Sequence, residues 1–193
     1  MLKSIAFALL LLFVPSVLVA GEETVRIGGV DIVVPIPDGF VSAGKVPRDL
    51  SPAEGLSITR FVDHIKLIGS PPTKVQMLNV QATTEDQKQT LTDEEFKARE
   101  AKYRDEITET AEQLGLDKND LSFFTGDGRF GYTLFRITPK GSGEGHVAAT
   151  MLVKGKVFAV NYLSVAGDGN ELDWVRGTQA EAEAFFDAIL SAN

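Results

Sequence analysis

LSFFTGDGRFGYTLFRIT (residues 121–138) and HVAATMLVKGKVFAVNYLSV (residues 146–165) decide how this chain folds. Aromatic and β-branched residues dominate both stretches, and glycine interrupts them at short intervals. They read as four strands, Leu121 to Thr125, Phe130 to Thr138, His146 to Lys154 and Val157 to Val165. The connections are Gly126-Asp127-Gly128, Pro139 to Gly145, and a tight turn at Lys154-Gly155. Gaps this short demand antiparallel neighbours, because a parallel crossover takes about a dozen residues or more.

Outward from this block, the pattern changes period. Upstream, Phe96, Tyr103, Ile107, Ala111 and Leu114 recur at helical spacing, predicting a helix over Asp93 to Leu114 with that face against the sheet. Thr92 and Glu95 have capping-box spacing, and Gly115 supplies a left-handed stop with Leu116 behind it. Downstream, Thr178 and Glu181 repeat the capping-box spacing, and Phe185, Phe186, Ile189 and Leu190 give a closing helix its apolar side. A short helical turn around Leu172 to Arg176 is expected before it.

Nearer the N-terminus, Val25 to Ile27 and Val30 to Ile36 flank Gly28-Gly29, a dipeptide suited to a tight hairpin. Pro35 and Pro37 cannot donate ladder hydrogen bonds, so this segment belongs at an edge or leaves the sheet. Residues 44 to 57 carry Gly44, Pro47, Pro52 and Gly55 and read as a surface loop. Ile58 to Ile65 and Lys74 to Thr83 are two further strands. The expected order is β-β-β-β-α-β-β-β-β-α. That is an α+β domain, a mainly antiparallel sheet with helices packed on its faces.

The first strands run into Pro35-Ile36-Pro37-Asp38-Gly39-Phe40. This segment resembles the P-x-P-x-G-F start of exported bacterial proteins of the PsbP-like fold group, and a strand meander ending in a helix is similar to theirs. The resemblance covers most of residues 22 to 193. It implies an accessory or binding role and supplies no catalytic residues.

Residues 1–20 carry Lys3, an unbroken apolar run from Ile5 to Val14, a break at Pro15-Ser16, and small residues at Ala20 and Gly21. That anatomy predicts a secretory signal peptide cut after Ala20 or Gly21, leaving residues 21–193 as one globular domain. No transmembrane segment is expected in the mature chain, since a spanning helix needs about 20 apolar residues. The location implied is periplasmic or secreted, in soluble form. The chain has no cysteine, which closes the lipoprotein route and excludes disulfides. The formal net charge is −8, and loss of Lys3 with the leader makes the remainder one unit more acidic. An acidic domain without a basic run repels phosphate backbones, so nucleic acid is not an expected partner.

Several strings look chemical. Gly126-Asp-Gly-Arg-Phe-Gly131 matches the dinucleotide fingerprint G-x-G-x-x-G, but that site needs a helix N-terminus after the glycines, and Tyr132-Thr-Leu-Phe-Arg-Ile137 is a strand sequence. Gly39 to Lys45 matches a P-loop except that Val46 stands where Ser or Thr should hold magnesium. Ser42-Ala-Gly-Lys45 spells S-x-x-K without its partner motifs. Asp168, Asn170 and Asp173 form a calcium-like string, a weak candidate metal loop, but Asp173 stands where an EF-hand requires glycine. His64 and His146 are the two histidines, and they form no local ligand pair. No cofactor is expected.

One surface stands out. A two-residue turn at Lys154-Gly155 sets Met151 against Phe158, Ala149 against Val160 and Val147 against Tyr162 on a bulky apolar face. The opposite face then carries His146, Ala148, Thr150, Ala159 and Asn161. His146, Thr150 and Asn161 are the candidate ligand-binding residues, and the small neighbours equally suit a closely packed helix. The reading is an exported, non-catalytic binding or accessory protein whose partner is an envelope protein or a small ligand. The alternatives are a small exported hydrolase, with His146 or His64 as base, and a carrier of a small ligand or metal.

Overall fold

The computed structural model describes residues 19–45, 54–61, 74–117, 120–138, 141–167 and 172–193. The order is β1 (Val19–Ile27), β2 (Val30–Pro37), β3 (Val41–Lys45), β4 (Glu54–Phe61), β5 (Lys74–Ala82), α1 (Thr84–Lys88), α2 (Asp93–Gln113), β6 (Leu121–Gly126), β7 (Arg129–Ile137), β8 (Gly143–Val153), β9 (Lys156–Ala166) and α3 (Leu172–Ser191). The fold is α+β, as the sequence predicts. Its main sheet has seven strands in the order β3-β4-β5-β9-β8-β7-β6, all antiparallel. It is two meanders, β3-β4-β5 and β6-β7-β8-β9, joined where β5 pairs with β9. β1 and β2 form a separate hairpin.

The turns follow from their residues. Gly28 and Gly29 have φ of 53° and 84° and close β1–β2 with Ile27 opposite Val30. Such paired positive angles match the twist of the flanking strands, and glycine adopts them without steric cost. Lys154 and Gly155, at φ 52° and 76°, do the same between β8 and β9, and the register is the one expected: Met151↔Phe158, Ala149↔Val160, Val147↔Tyr162. Pro35 and Pro37 lie in β2, whose strand partner among the described residues is β1 alone.

The core lies on one face of the sheet. Val147, Ala149, Met151 and Val153 of β8, Phe158, Val160 and Tyr162 of β9, and Leu78, Val80 and Ala82 of β5 point to it. The β1–β2 hairpin brings Val25, Ile27, Ile32 and Val34, and α3 brings Ala182, Phe185, Phe186 and Ile189. Tyr162 reaches the Glu181 carboxylate with its hydroxyl, and Gln76 Nε2 donates to the same oxygen at 3.0 Å, so these three polar side chains satisfy one another within the core. Asn193 closes the far end. Its side chain accepts from Val33 N–H at 2.9 Å and donates to the Val33 carbonyl at 2.8 Å, in the manner of a neighbouring strand.

The second face carries α2. The capping box at its start is formed, with Glu95 N–H on Thr92 Oγ1 at 3.3 Å and Thr92 N–H on Glu95 Oε2 at 2.8 Å. It ends with Gly115 at φ 68° and Leu116 N–H on the Ala111 carbonyl, a Schellman stop. Phe96 and Tyr103 pack on Phe130, Leu152 and Val157. Lys156, only 7% exposed, ties the α1–α2 link to the sheet through Gln89 O and Thr90 Oγ1, both at 2.9 Å.

Several expectations are corrected. Residues 44 to 57 are not all loop: β3 runs to Lys45 and β4 begins at Glu54. Once the β5–β4–β3 ladder forms, pairing outweighs the local glycine signal. Of the expected strand at Ile58 to Ile65, β4 takes the part up to Phe61, and 62–65 lie outside the described residues. α1 is an addition, started by Thr83, whose hydroxyl accepts from Asp86 N–H. The closing helix is continuous from Leu172, so Thr178 is a buried mid-helix residue and its capping box does not form. Glu181 turns to Gln76 and Tyr162 instead. Leu114 is 69% exposed, because the final turn of α2 carries its apolar stripe away from cover.

Candidate functional site

On the second face the small and polar side chains sit as expected, but α2 divides them. His146 pairs with Leu163, Ala148 with Asn161 and Thr150 with Ala159. Thr150 shares a hydrogen bond with Tyr103 of α2, whose hydroxyl burial pushes well above the ordinary tyrosine range. The Thr150 end therefore belongs to helix packing. The His146 end opens into a recess of about 300 Å³ lined by Leu134, Arg136, Glu144, His146 and Leu163.

His146 and Asn161 meet through their side chains, one diagonal step across the β8–β9 pair. Tyr132 completes the group. Its ring stands edge-on to the imidazole, centroids 5.5 Å apart, and its hydroxyl lies 3.3 Å from Nδ1. Burial lowers the His146 pKa, the Asn161 bond raises it, nearby Arg136 lowers it and Glu144 raises it; the outcome lies below 6.5. Burial also raises the Tyr132 pKa. At neutral pH the site is thus an uncharged imidazole beside a protonated phenol, which can donate to Nδ1.

Arg136 Nε donates to Glu144 Oε2 at 2.7 Å on the rim. With Leu134 and Leu163 as walls, the recess is apolar with a few convergent polar groups, the make-up of a small-molecule pocket. Among the described residues it shows no hydrolase's relay. Such a relay sets a hydroxyl nucleophile on one imidazole nitrogen and a carboxylate on the other. Here the partners are a phenol and an amide, and the Glu144 carboxylate is held by Arg136.

The remaining sequence candidates separate. Asp173 is in the first turn of α3, fully exposed and 3.9 Å from Arg176, while Asp168 and Asn170 lie outside the described residues, as does His64. Among the described residues no group of three or more acidic, histidine or cysteine side chains could hold a metal. The glycine string at 126–131 is a hairpin: Gly126 faces Arg129 across Asp127-Gly128, Gly128 has φ 67°, and β7 follows. The P-loop-like string runs into β3, with Gly44 at φ 84° inside that strand.

Tyr132, Leu134 and Leu163 escaped the sequence reading. The β8–β9 register already sets Leu163 opposite His146, whereas Tyr132 and Leu134 needed the register of β7 against β8, in which Leu134 faces His146. The connection between these strands is too long to set that register by turn type. No protein-family model matches the chain, and no curated protein matches it.

Proposed function

We propose that this is an exported, non-catalytic binding or accessory protein that takes a small, largely apolar ligand in the recess beside His146. The observation that carries the reading is the recess itself: leucine walls around an imidazole whose polar partners are Tyr132 and Asn161. A neutral imidazole hydrogen-bonded to a phenol and an amide is suited to orienting a ligand, and its partners among the described residues are not hydroxyl nucleophiles of the serine type. The leader-like residues 1–20 and the PsbP-like Pro35–Phe40 segment support an accessory role outside the cytoplasm. Among the described residues no helix is long and apolar enough to cross a membrane.

Fragment screening by NMR on the isotope-labelled protein tests the site. Binding should shift His146, Asn161 and Leu163 together, and His146→Ala should abolish the shifts. Ester hydrolysis lost on His146→Ala would establish the hydrolase instead. Intact-mass measurement tests export, with the mature chain expected to begin at Gly21 or Glu22. Such a cut leaves most of β1 in place, from the pair Glu22↔Pro35 to Ile27↔Val30.

A further inference from the structure

We propose that α3 and the main sheet enclose a water molecule held between Ser164 Oγ and Thr178 Oγ1. Both residues are 0% exposed, and neither hydroxyl has a hydrogen-bond partner among the described residues. A hydroxyl taken out of water with nothing in return is costly, and native interiors generally resolve it with a partner or an ordered water.

The fold brings the two hydroxyls to one place. Ser164 lies on the core face of β9, between Gly145 of β8 and Gln76 of β5. α3 descends on this spot. A Cβ on Gly145 would lie 2.7 Å from Val175 Cγ1 and 2.8 Å from the Val175 carbonyl, so the helix backbone is nearly in contact with the sheet. Further along, Glu181 accepts from Gln76 Nε2 and from the Tyr162 hydroxyl. Thr178 is on the turn between Val175 and Glu181 and on the same helical face. The contacts that bracket Ser164 on the sheet therefore bracket Thr178 on the helix.

Water suits this pair better than an ion does. It is neutral, and it both donates and accepts, as each hydroxyl does. The two side chains offer a cation no charge, and the Glu181 carboxylate one turn further along α3 is turned to Gln76 and Tyr162.

A crystal structure of the full mature chain that resolves ordered solvent, together with water–protein NOE spectroscopy, tests the site. One enclosed solvent peak within hydrogen-bond reach of both oxygens is expected, with a long-lived NOE that Ser164→Ala/Thr178→Val removes. Each single variant should lower Tm, and the double should lose less than the two singles combined, because the first removal already breaks the bridge. Three results overturn the proposal. One is a Tm that rises in the single variants, as it would for dry hydroxyls whose removal brings relief. The second is a Thr178 hydroxyl found on the Trp174 carbonyl one turn back, with no solvent between the pair. The last is a Tm that differs between sodium, potassium and choline salts, which would mean a bound cation.

Discussion

Alanine at the three glycines of the 126–131 string should destabilise in the order Gly131, then Gly128, then Gly126. A Cβ on Gly131 would lie 2.0 Å from the Ala148 carbonyl oxygen and 2.8 Å from both Ala149 Cα and Phe124 Cζ. Two of these are backbone atoms of the neighbouring strand, and the third is a ring stacked on Phe186 with centroids 6.1 Å apart. Neither can move without unpairing β7 from β8 or disturbing the core. Overpacking of this kind costs about 3 kcal/mol or more. In a domain of this size each kcal/mol lowers Tm by about 2–4 °C, so Gly131→Ala should lower it by about 6–12 °C. At Gly128 the φ of 67° makes alanine pay the left-handed penalty of about 1–2 kcal/mol. Its Cβ would also sit 3.2 Å from Leu190 and 3.3 Å from the Leu152 carbonyl. At Gly126 the nearest atom is Arg129 Nε at 3.4 Å, ordinary contact, and the change should stay within about 0.5 kcal/mol. Thermal denaturation followed by circular dichroism reads all three, with millimolar NAD as a control that leaves every Tm unchanged. Equal losses at the three positions, or a tolerated Gly131→Ala, would refute the packing argument. A shift of several degrees with NAD would restore the nucleotide reading.

Phe96→Ala should cost about 3–5 kcal/mol in urea denaturation, because Phe96 is 3% exposed against Phe130, whereas Leu114→Ala should cost less than about 0.5 kcal/mol. The His146 pKa, read by NMR titration, should fall below 6.5, chiefly through burial, and Asn161→Ala should lower it further by removing the bond that raises it. Because the folded pKa is the lower one, the unfolded chain binds the extra proton. The contribution of His146 to stability is therefore present above pH 6.5 and lost as pH falls toward the folded pKa, and His146→Gln should flatten that part of the Tm profile. A folded pKa above 6.5 would reverse the sign. Asn193→Ala should cost about 1–2 kcal/mol and unprotect the Val33 amide in hydrogen exchange, since both Val33 backbone groups lose their partner.

Local chemistry makes the fold class, the β8–β9 register and the ends of α2 legible in the sequence itself. Paired positive φ angles at Lys154-Gly155 admit one register, and the alternation of Val147, Ala149 and Met151 with smaller residues marks the buried face. Thr92, Glu95 and Gly115 act within one turn of themselves, so their pattern in the chain is already the structure. Thr178 and Glu181 have the same spacing as Thr92 and Glu95, yet α3 runs on past them, because their place beneath the helix depends on β5 and β9.

Only the tertiary structure settled which parts of the second face are packing and which are open. Thr150 and His146 lie on one strand and one face, and what separates them is where α2 comes to rest. That position depends on Phe96 and Tyr103 meeting Phe130, Leu152 and Val157, residues far apart in the chain. The same holds for Tyr132 beside His146, which needs the β7–β8 register. Turn angles, caps and alternation are short-range consequences of covalent geometry and can be read from neighbours. A recess exists only where distant elements fail to cover one another, and no local pattern of residues encodes that.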